Sequence, residues 1–175
     1  MTMYSLTLEE RATCPSECEQ WDNCYGDNMP FAHRFDHTDR AFIYFLDDQL
    51  SLLNDKHPEG FVVRLHVLGD FYSQRYVMQW KKWLRNFGNL HVFGYTHCAL
   101  NSLEGVEIEK GLLEFPTRWR IRSSDDFSTD FSAHVGVGTD TTGGIMCPEQ
   151  NGKTDSCATC GYCWSSDEPV TFLEH

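Results

Sequence analysis

The stretch Phe61-Val62-Val63-Arg64-Leu65-His66-Val67-Leu68-Gly69-Asp70, with the helix-spaced segment and the apolar run that follow it, decides the fold class. Residues 61–68 are mostly apolar and β-branched and lie between Gly60 and Gly69, the pattern of a largely buried strand. Ser73 then stands where a helix N-cap belongs. Tyr76, Trp80, Trp83, Leu84 and Phe87 share one helical face beyond it, and Gly88 occupies the C′ position. Each large side chain fully buried on that face contributes roughly 1.5–3 kcal/mol, so both tryptophans are expected in the core. Leu90 to Thr96 reads as the next strand, and residues 61–96 therefore make a strand–helix–strand crossover.

Working outward, Tyr4 to Leu8 suits a first strand and residues 11–28 a cysteine-bearing loop. From Thr38, a candidate N-cap, Phe42, Phe45, Leu46, Leu50 and Leu53 fall on one stripe, and Pro58-Glu59-Gly60 ends that helix. Residues 104–113 suit a short helix, Trp119 to Ser123 and His134 to Val137 suit strands, and the Ser-Asp-rich loop 123–131 is expected to be exposed. Strands alternating with helices imply an α/β fold with a mainly parallel sheet. At 175 residues the chain is short of the roughly 250 of a full eight-fold barrel, which leaves a partial barrel or an open βαβ sheet. One fold is expected, with residues 1–140 as the α/β domain and residues 141–175 as a cysteine-rich, metal-held C-terminal extension packed on it.

A formal charge of −12 argues against non-specific nucleic-acid binding and against a membrane-surface role, because both need clustered Lys and Arg. Arg118, Arg120 and Arg122 form the one basic stripe, read either as the polar face of a strand or as a site for an anionic ligand. No apolar run reaches the roughly 18 residues of a membrane span, and the first residues carry no secretory signal. The expected compartment is reducing cytoplasm, where eight cysteines would not persist as disulfides.

Seven of the eight cysteines bunch in two groups, which favours metal. Cys147, Cys157, Cys160 and Cys163 end in a C-x2-C-x2-C run, whose tight turn suits three corners of a cubane cluster, with Cys147 returning as fourth ligand. Structural zinc usually takes paired ligands from separate loops and is the alternative metal. The flanking segments lack apolar periodicity, so ligation is expected to replace a core there. Cys14, Cys18 and Cys24 supply three ligands without an obvious fourth. Either one iron stays open to a substrate or cofactor, or a distant group such as Cys98, His97, Asp22 or Asp27 completes the site. The two groups make one metal centre or two. Cys98 alone reads as a buried, inert thiol.

In open parallel sheets ligands sit beyond the carboxyl ends of the strands, so Asp70, Thr96 and His97 are expected to face one crevice, joined by Ser123 and Ser124. Asp70 is read either as a ligand-orienting carboxylate or as a polar cap. His66 and His91 read as structural histidines.

The order of strand, three-cysteine loop, helix, strand ending in Gly69-Asp70, helix and strand resembles the front half of a radical S-adenosylmethionine enzyme. That resemblance implies a 4Fe-4S cluster on Cys14, Cys18 and Cys24. It also implies a cofactor-holding role for Gly69-Asp70 and an auxiliary cluster in the C-terminal extension. The chain departs from that pattern at Cys18 and Cys24, which have five residues between them where the usual loop is C-x3-C-x2-C. Over nearly its full length the chain resembles a small phage-encoded family, gene product eighty-eight. The similar stretches are Leu6-Thr7-Leu8, Cys14-Pro15, Cys24-Tyr25, Arg64-Leu65-His66, Gly69-Asp70-Phe71, Tyr95-Thr96 and the closing cysteine run with Trp164. The resulting expectation is a phage-encoded iron–sulfur protein of the host cytoplasm, acting on a small-molecule substrate in the manner of a radical S-adenosylmethionine enzyme. An electron donor to a redox partner protein and a zinc-stabilised interaction module are the alternatives.

Overall fold

The computed structural model describes residues 1–22, 24–125, 128–129, 131–136 and 144–173. Its elements run β1 (Thr2–Ser5), α1 (Glu10–Thr13), a 3-10 turn (Tyr25–Asn28), α2 (Phe42–Lys56), β2 (Phe61–Leu65), α3 (Gln74–Asn86), β3 (Leu90–Thr96), α4 (Leu103–Glu114), β4 (Trp119–Ser124), β5 (Ser132–Gly136), β6 (Ile145–Met146), α5 (Cys157–Cys160), α6 (Tyr162–Ser165) and β7 (Val170–Leu173). The strands form one seven-stranded sheet in the order β1-β2-β3-β4-β5-β7-β6. Every pairing is parallel, and the sheet curls into a half-barrel.

The expected crossover is the centre of this sheet. Val63 lies beside Val92 in the β2–β3 pair. Alternation along the strands then sorts the side chains. Phe61, Val63, Leu65, Leu90, Val92, Trp119 and Ile121 face the helices and join Leu46, Leu50, Trp80, Trp83 and Leu84 in the main core. Ser73 caps α3 as its sequence position implies, its Oγ accepting from the Tyr76 amide at 3.3 Å. Helices α3 and α4 are also joined by a buried ion pair, Lys81 Nζ to Glu107 Oε2 at 2.6 Å. At Gly94 the β2 backbone comes so close that a Cβ would lie 1.5 Å from the Leu65 carbonyl oxygen.

The opposite face of the sheet has its own small core, supplied by the C-terminal extension. Val62 and Phe93 pack with Cys163 and Trp164, and Ala133 and Val170 pack with Cys147, Tyr162 and Phe172.

Local boundaries depart from the sequence reading where backbone hydrogen bonding decides them. The first strand stops at Ser5, and a short helix follows in place of continuous loop. Helix α2 starts at Phe42 instead of at a Thr38 cap, because Thr38 closes a turn on Asp36, with its amide and hydroxyl both donating to Oδ1. Phe45 is 44% exposed, off the buried stripe. Gly88 follows α3 without adopting a positive φ. The sequence reading yields five strands; β6 and β7 are the other two, and β7 inserts between β5 and β6. Of the exposed loop expected over residues 123–131, residues 126, 127 and 130 lie outside the described residues. No helix among the described residues is long and apolar enough to cross a membrane.

Candidate functional site

A cavity of about 460 Å³ opens at the carboxyl ends of the strands. Both cysteine groups reach it: Cys14, Cys18 and Cys24 from the N-terminal loop, and Cys147, Cys157 and Cys163 from the extension. Cys160 is absent from this wall and is partly exposed at the end of α5.

The N-terminal loop has little core of its own, so polar contacts shape it. Arg34 grips both oxygens of Glu10 at 2.6 and 2.8 Å and donates to the Gly26, Met29 and Ala32 carbonyls. The Arg34 hydrogen bond holds the Glu10 carboxyl below its ordinary pKa. Sequence reasoning did not find this clamp; the Glu10–Arg34 separation has no periodic signature. Cys14 follows α1 directly, and the Asp70 amide donates to Thr13 Oγ1 at 3.2 Å, tying that loop to the end of β2. Gly69 has φ +87°, and a Cβ there would sit 2.5 Å from Thr13 Oγ1. Close packing against α1 therefore accounts for this glycine.

In the extension, Ser156 caps α5, and Gly161 at φ +69° lets the chain turn straight into α6. That turn carries the chain from Cys160, the last residue of α5, to Cys163 in α6. The Cys147 amide donates to the Thr171 carbonyl at 2.8 Å. The basic stripe is neither a solvated strand face nor an open anion site. Arg120 and Arg122 are 9% and 0% exposed. Both stack on Phe131 and donate to the backbone of residues 166–168, clasping the extension to the sheet. Arg118 instead donates to the Phe87, Gly88 and Leu90 carbonyls.

Burial pushes the Cys163 thiol up to about 11, with Cys147 and Cys157 adding to the shift and the Tyr95 hydrogen bond and Arg122 opposing it. The Tyr95 hydroxyl donates to Cys163 Sγ at 2.9 Å. Burial also raises the Cys14 and Cys157 thiols. Metal ligation reverses such shifts, because it requires the thiolate.

Among the described residues, only Glu9, Asp36 and His37 bring three His, Cys, Asp or Glu ligand atoms within 4.8 Å of one another. No three cysteine sulfurs of the described residues therefore lie within that distance of one another. A tetrahedral zinc site with Zn–S near 2.3 Å would place its sulfurs about 3.8 Å apart. The Glu9–Asp36–His37 group is partly exposed, and its Asp36 Oδ1 already accepts from Thr38.

Asp70, Thr96 and His97 come together, but Asp70 is occupied. Its Oδ1 accepts from the Phe71 amide and Thr96 Oγ1, both at 2.7 Å, and its Oδ2 accepts from the His97 amide at 2.8 Å. At 2% exposure it is the pin between the ends of β2 and β3. Thr96 lies beneath the cavity wall, while His97 is on it. Burial would lower the pKa of His97, but Asp125 and the Cys18 sulfur outweigh it and raise it to about 10. The His97 Nε2 to Asp125 Oδ2 distance is 3.7 Å. Ser124 reaches the cavity, and Ser123 is buried behind it. Cys98 is buried against Asp70 and the Phe71 carbonyl, off the wall. His66 is on the wall, held near neutral form by burial, its pKa lowered to about 3, with Nε2 3.2 Å from the Tyr76 hydroxyl. His91, half-buried in β3, is off the wall.

A family model described as Gene product 88 matches residues 1–111, which include the N-terminal cysteines, Asp70 and His97. The Gene 88 protein of Mycobacterium phage D29 is 27% identical over 143 residues, covering 67% of this chain and 57% of that protein. The chain thus spans little more than half the length of that relative. No solved structure matches.

Proposed function

The chain belongs to the Gene product 88 family, and we propose that it is an iron–sulfur protein with two centres opening on one substrate cavity. Cys14, Cys18 and Cys24 hold one centre; Cys147, Cys157, Cys160 and Cys163 hold the other. The observation that carries this reading is the convergence of two cysteine groups, from opposite ends of the sequence, on the wall of a single cavity. A structural metal needs no cavity beside it. A 460 Å³ space is of small-molecule size and favours chemistry on a bound substrate. An iron–sulfur cluster supplies one-electron chemistry, and one held by three thiolates leaves an iron open to a substrate or a cofactor such as S-adenosylmethionine. The chain's own part is positional: Asp70 fixes the loop that carries His97, and His97 faces Asp125 at 3.7 Å. The site of action, for a phage protein of this kind, is the host cytoplasm.

One observation favours a second reading, electron donation to a redox partner. Cys160 is partly exposed and off the cavity wall, which gives the C-terminal centre an edge toward solvent.

Anaerobic purification tests the proposal. Iron and acid-labile sulfide should be present with visible absorbance, and Cys→Ala variants in each group should each remove part of the iron. Stoichiometric zinc without sulfide would overturn it in favour of a zinc-held module. Reduced protein mixed with S-adenosylmethionine then separates the two readings: 5′-deoxyadenosine supports the enzyme, and its absence supports electron transfer.

A further inference from the structure

Arg64 projects from β2 toward the extension side of the sheet, on the same face as Val62, and reaches the cavity wall that both cysteine groups line. Its guanidinium lies 6.0 Å from the centre of the Tyr95 ring, and its Nε is buried without a hydrogen-bond partner. His97 on the wall and the neighbouring arginines off it are engaged. Arg34 holds Glu10, His97 faces Asp125, Arg120 pairs with Asp167, and Arg122 donates to two backbone carbonyls. Among the described residues, no carboxylate lies within 4.0 Å of the Arg64 guanidinium in an ion pair, and no hydrogen bond satisfies it. Buried polar groups are nearly always hydrogen-bonded, so such a donor points to a ligand. The carboxylates on the cavity wall do not meet this need: Asp70 is consumed by backbone amides and Thr96, Glu10 by Arg34, Asp125 faces His97, and Glu149 makes no ion pair with Arg64.

We propose that Arg64 is the anchor for the anionic group, carboxylate or phosphate, of a small molecule bound in this cavity. A guanidinium presents a planar fork of donors that matches either group bidentately, and desolvation by the cavity wall strengthens the contact. Tyr95, His97, Cys18 and Cys157 line the same cavity, so a ligand anchored at Arg64 would share it with both groups of thiols. The anchor does not depend on which metal the cysteines hold. The competing role for Arg64 is as counter-charge to Cys157 alone.

The test is calorimetric titration of the full chain, wild type and Arg64→Gln, with inorganic phosphate, pyrophosphate and succinate, and with neutral succinamide as control. Iron content and thermal midpoint are measured on the same samples. The expected result is saturable binding of at least one anion, none of succinamide, and binding roughly 10–100-fold weaker in R64Q at unchanged metal content and midpoint. Binding confined to the phosphates assigns a phosphorylated ligand, and binding confined to succinate a carboxylic acid. Equal affinity in R64Q, no binding of any of the three anions to the wild type, or loss of metal in R64Q without loss of affinity would each overturn the assignment. Arg64-dependent binding to a chain free of iron would sustain this inference while sinking the iron–sulfur proposal.

Discussion

Replacing Arg122 by methionine removes the inner half of the clasp between the sheet and the C-terminal extension while keeping an apolar stem against Phe131. Two hydrogen bonds are lost, to the Ser166 carbonyl at 2.7 Å and the Glu168 carbonyl at 2.8 Å. Bonds from a charged donor contribute about 1.5–3 kcal/mol each, so the extension should be loosened by about 3–6 kcal/mol. That is a large share of the 5–15 kcal/mol that holds a typical domain together. The main core is on the other face of the sheet, so the loss should appear first as local opening. At 1.4 kcal/mol per tenfold, even the lower bound raises the open population by about a hundredfold. Hydrogen exchange read by mass spectrometry should show that increase in peptides covering residues 157–173, with α3 and β3 nearly unchanged. Arg122→Lys, which keeps the charge but not the planar fork, should fall between. Under the iron–sulfur proposal, R122M should also lose the C-terminal centre's iron and retain that of the N-terminal group. Unchanged exchange over 157–173 would refute the assignment of Arg122 as the clasp; a uniform rise over the whole chain would show that the extension does not open as a separate unit.

Other perturbations test the frame and the site. Glu107→Gln leaves the buried Lys81 ammonium without its partner and should cost roughly 3 kcal/mol, lowering the thermal midpoint by about 6–12 °C in a domain of this size. The Lys110 and Lys81 hydrogen bonds lower the Glu107 pKa from 4.5 to about 2, so the pair stabilises the fold fully above pH 4.5. That contribution fades as the pH falls from there toward 2, and an acid titration of stability should lose this component in E107Q. Gly94→Ala places a methyl 1.5 Å from the Leu65 carbonyl oxygen and should abolish cooperative unfolding by forcing β2 and β3 apart; a normal melting curve would contradict the close approach. Under the iron–sulfur proposal, Tyr95→Phe, which deletes the donor to Cys163 Sγ, should lower the reduction potential of the C-terminal centre at constant iron content. An unchanged potential would mean that this hydroxyl does not tune the centre.

The periodicities of residues 61–96 were sufficient to read the central crossover, because burial on both faces of a parallel strand and on one stripe of a helix leaves a local pattern. Ser73, Trp80, Trp83 and the Leu90–Thr96 strand therefore stand as the sequence implies. Strands β6 and β7 left no such pattern: they are two and four residues long and owe their place to ladder bonds with distant partners. The basic stripe shows the same limit. Alternating arginines look solvated in a sequence, and only the packing of residues 166–168 over them reveals a buried clasp.

For the site, sequence alone grouped the candidate ligands, since sulfur chemistry and tight spacing are local properties of Cys14 to Cys24 and Cys147 to Cys163. It also placed Asp70 and His97 at strand ends. Tertiary structure alone decided that the two cysteine groups share one cavity, that Asp70 spends both carboxylate oxygens on the backbone and Thr96, and that Arg64 is left facing that cavity. The physical reason is that convergence and hydrogen-bond satisfaction depend on how the sheet curls and which donors meet across it, quantities that no single stretch of the chain encodes.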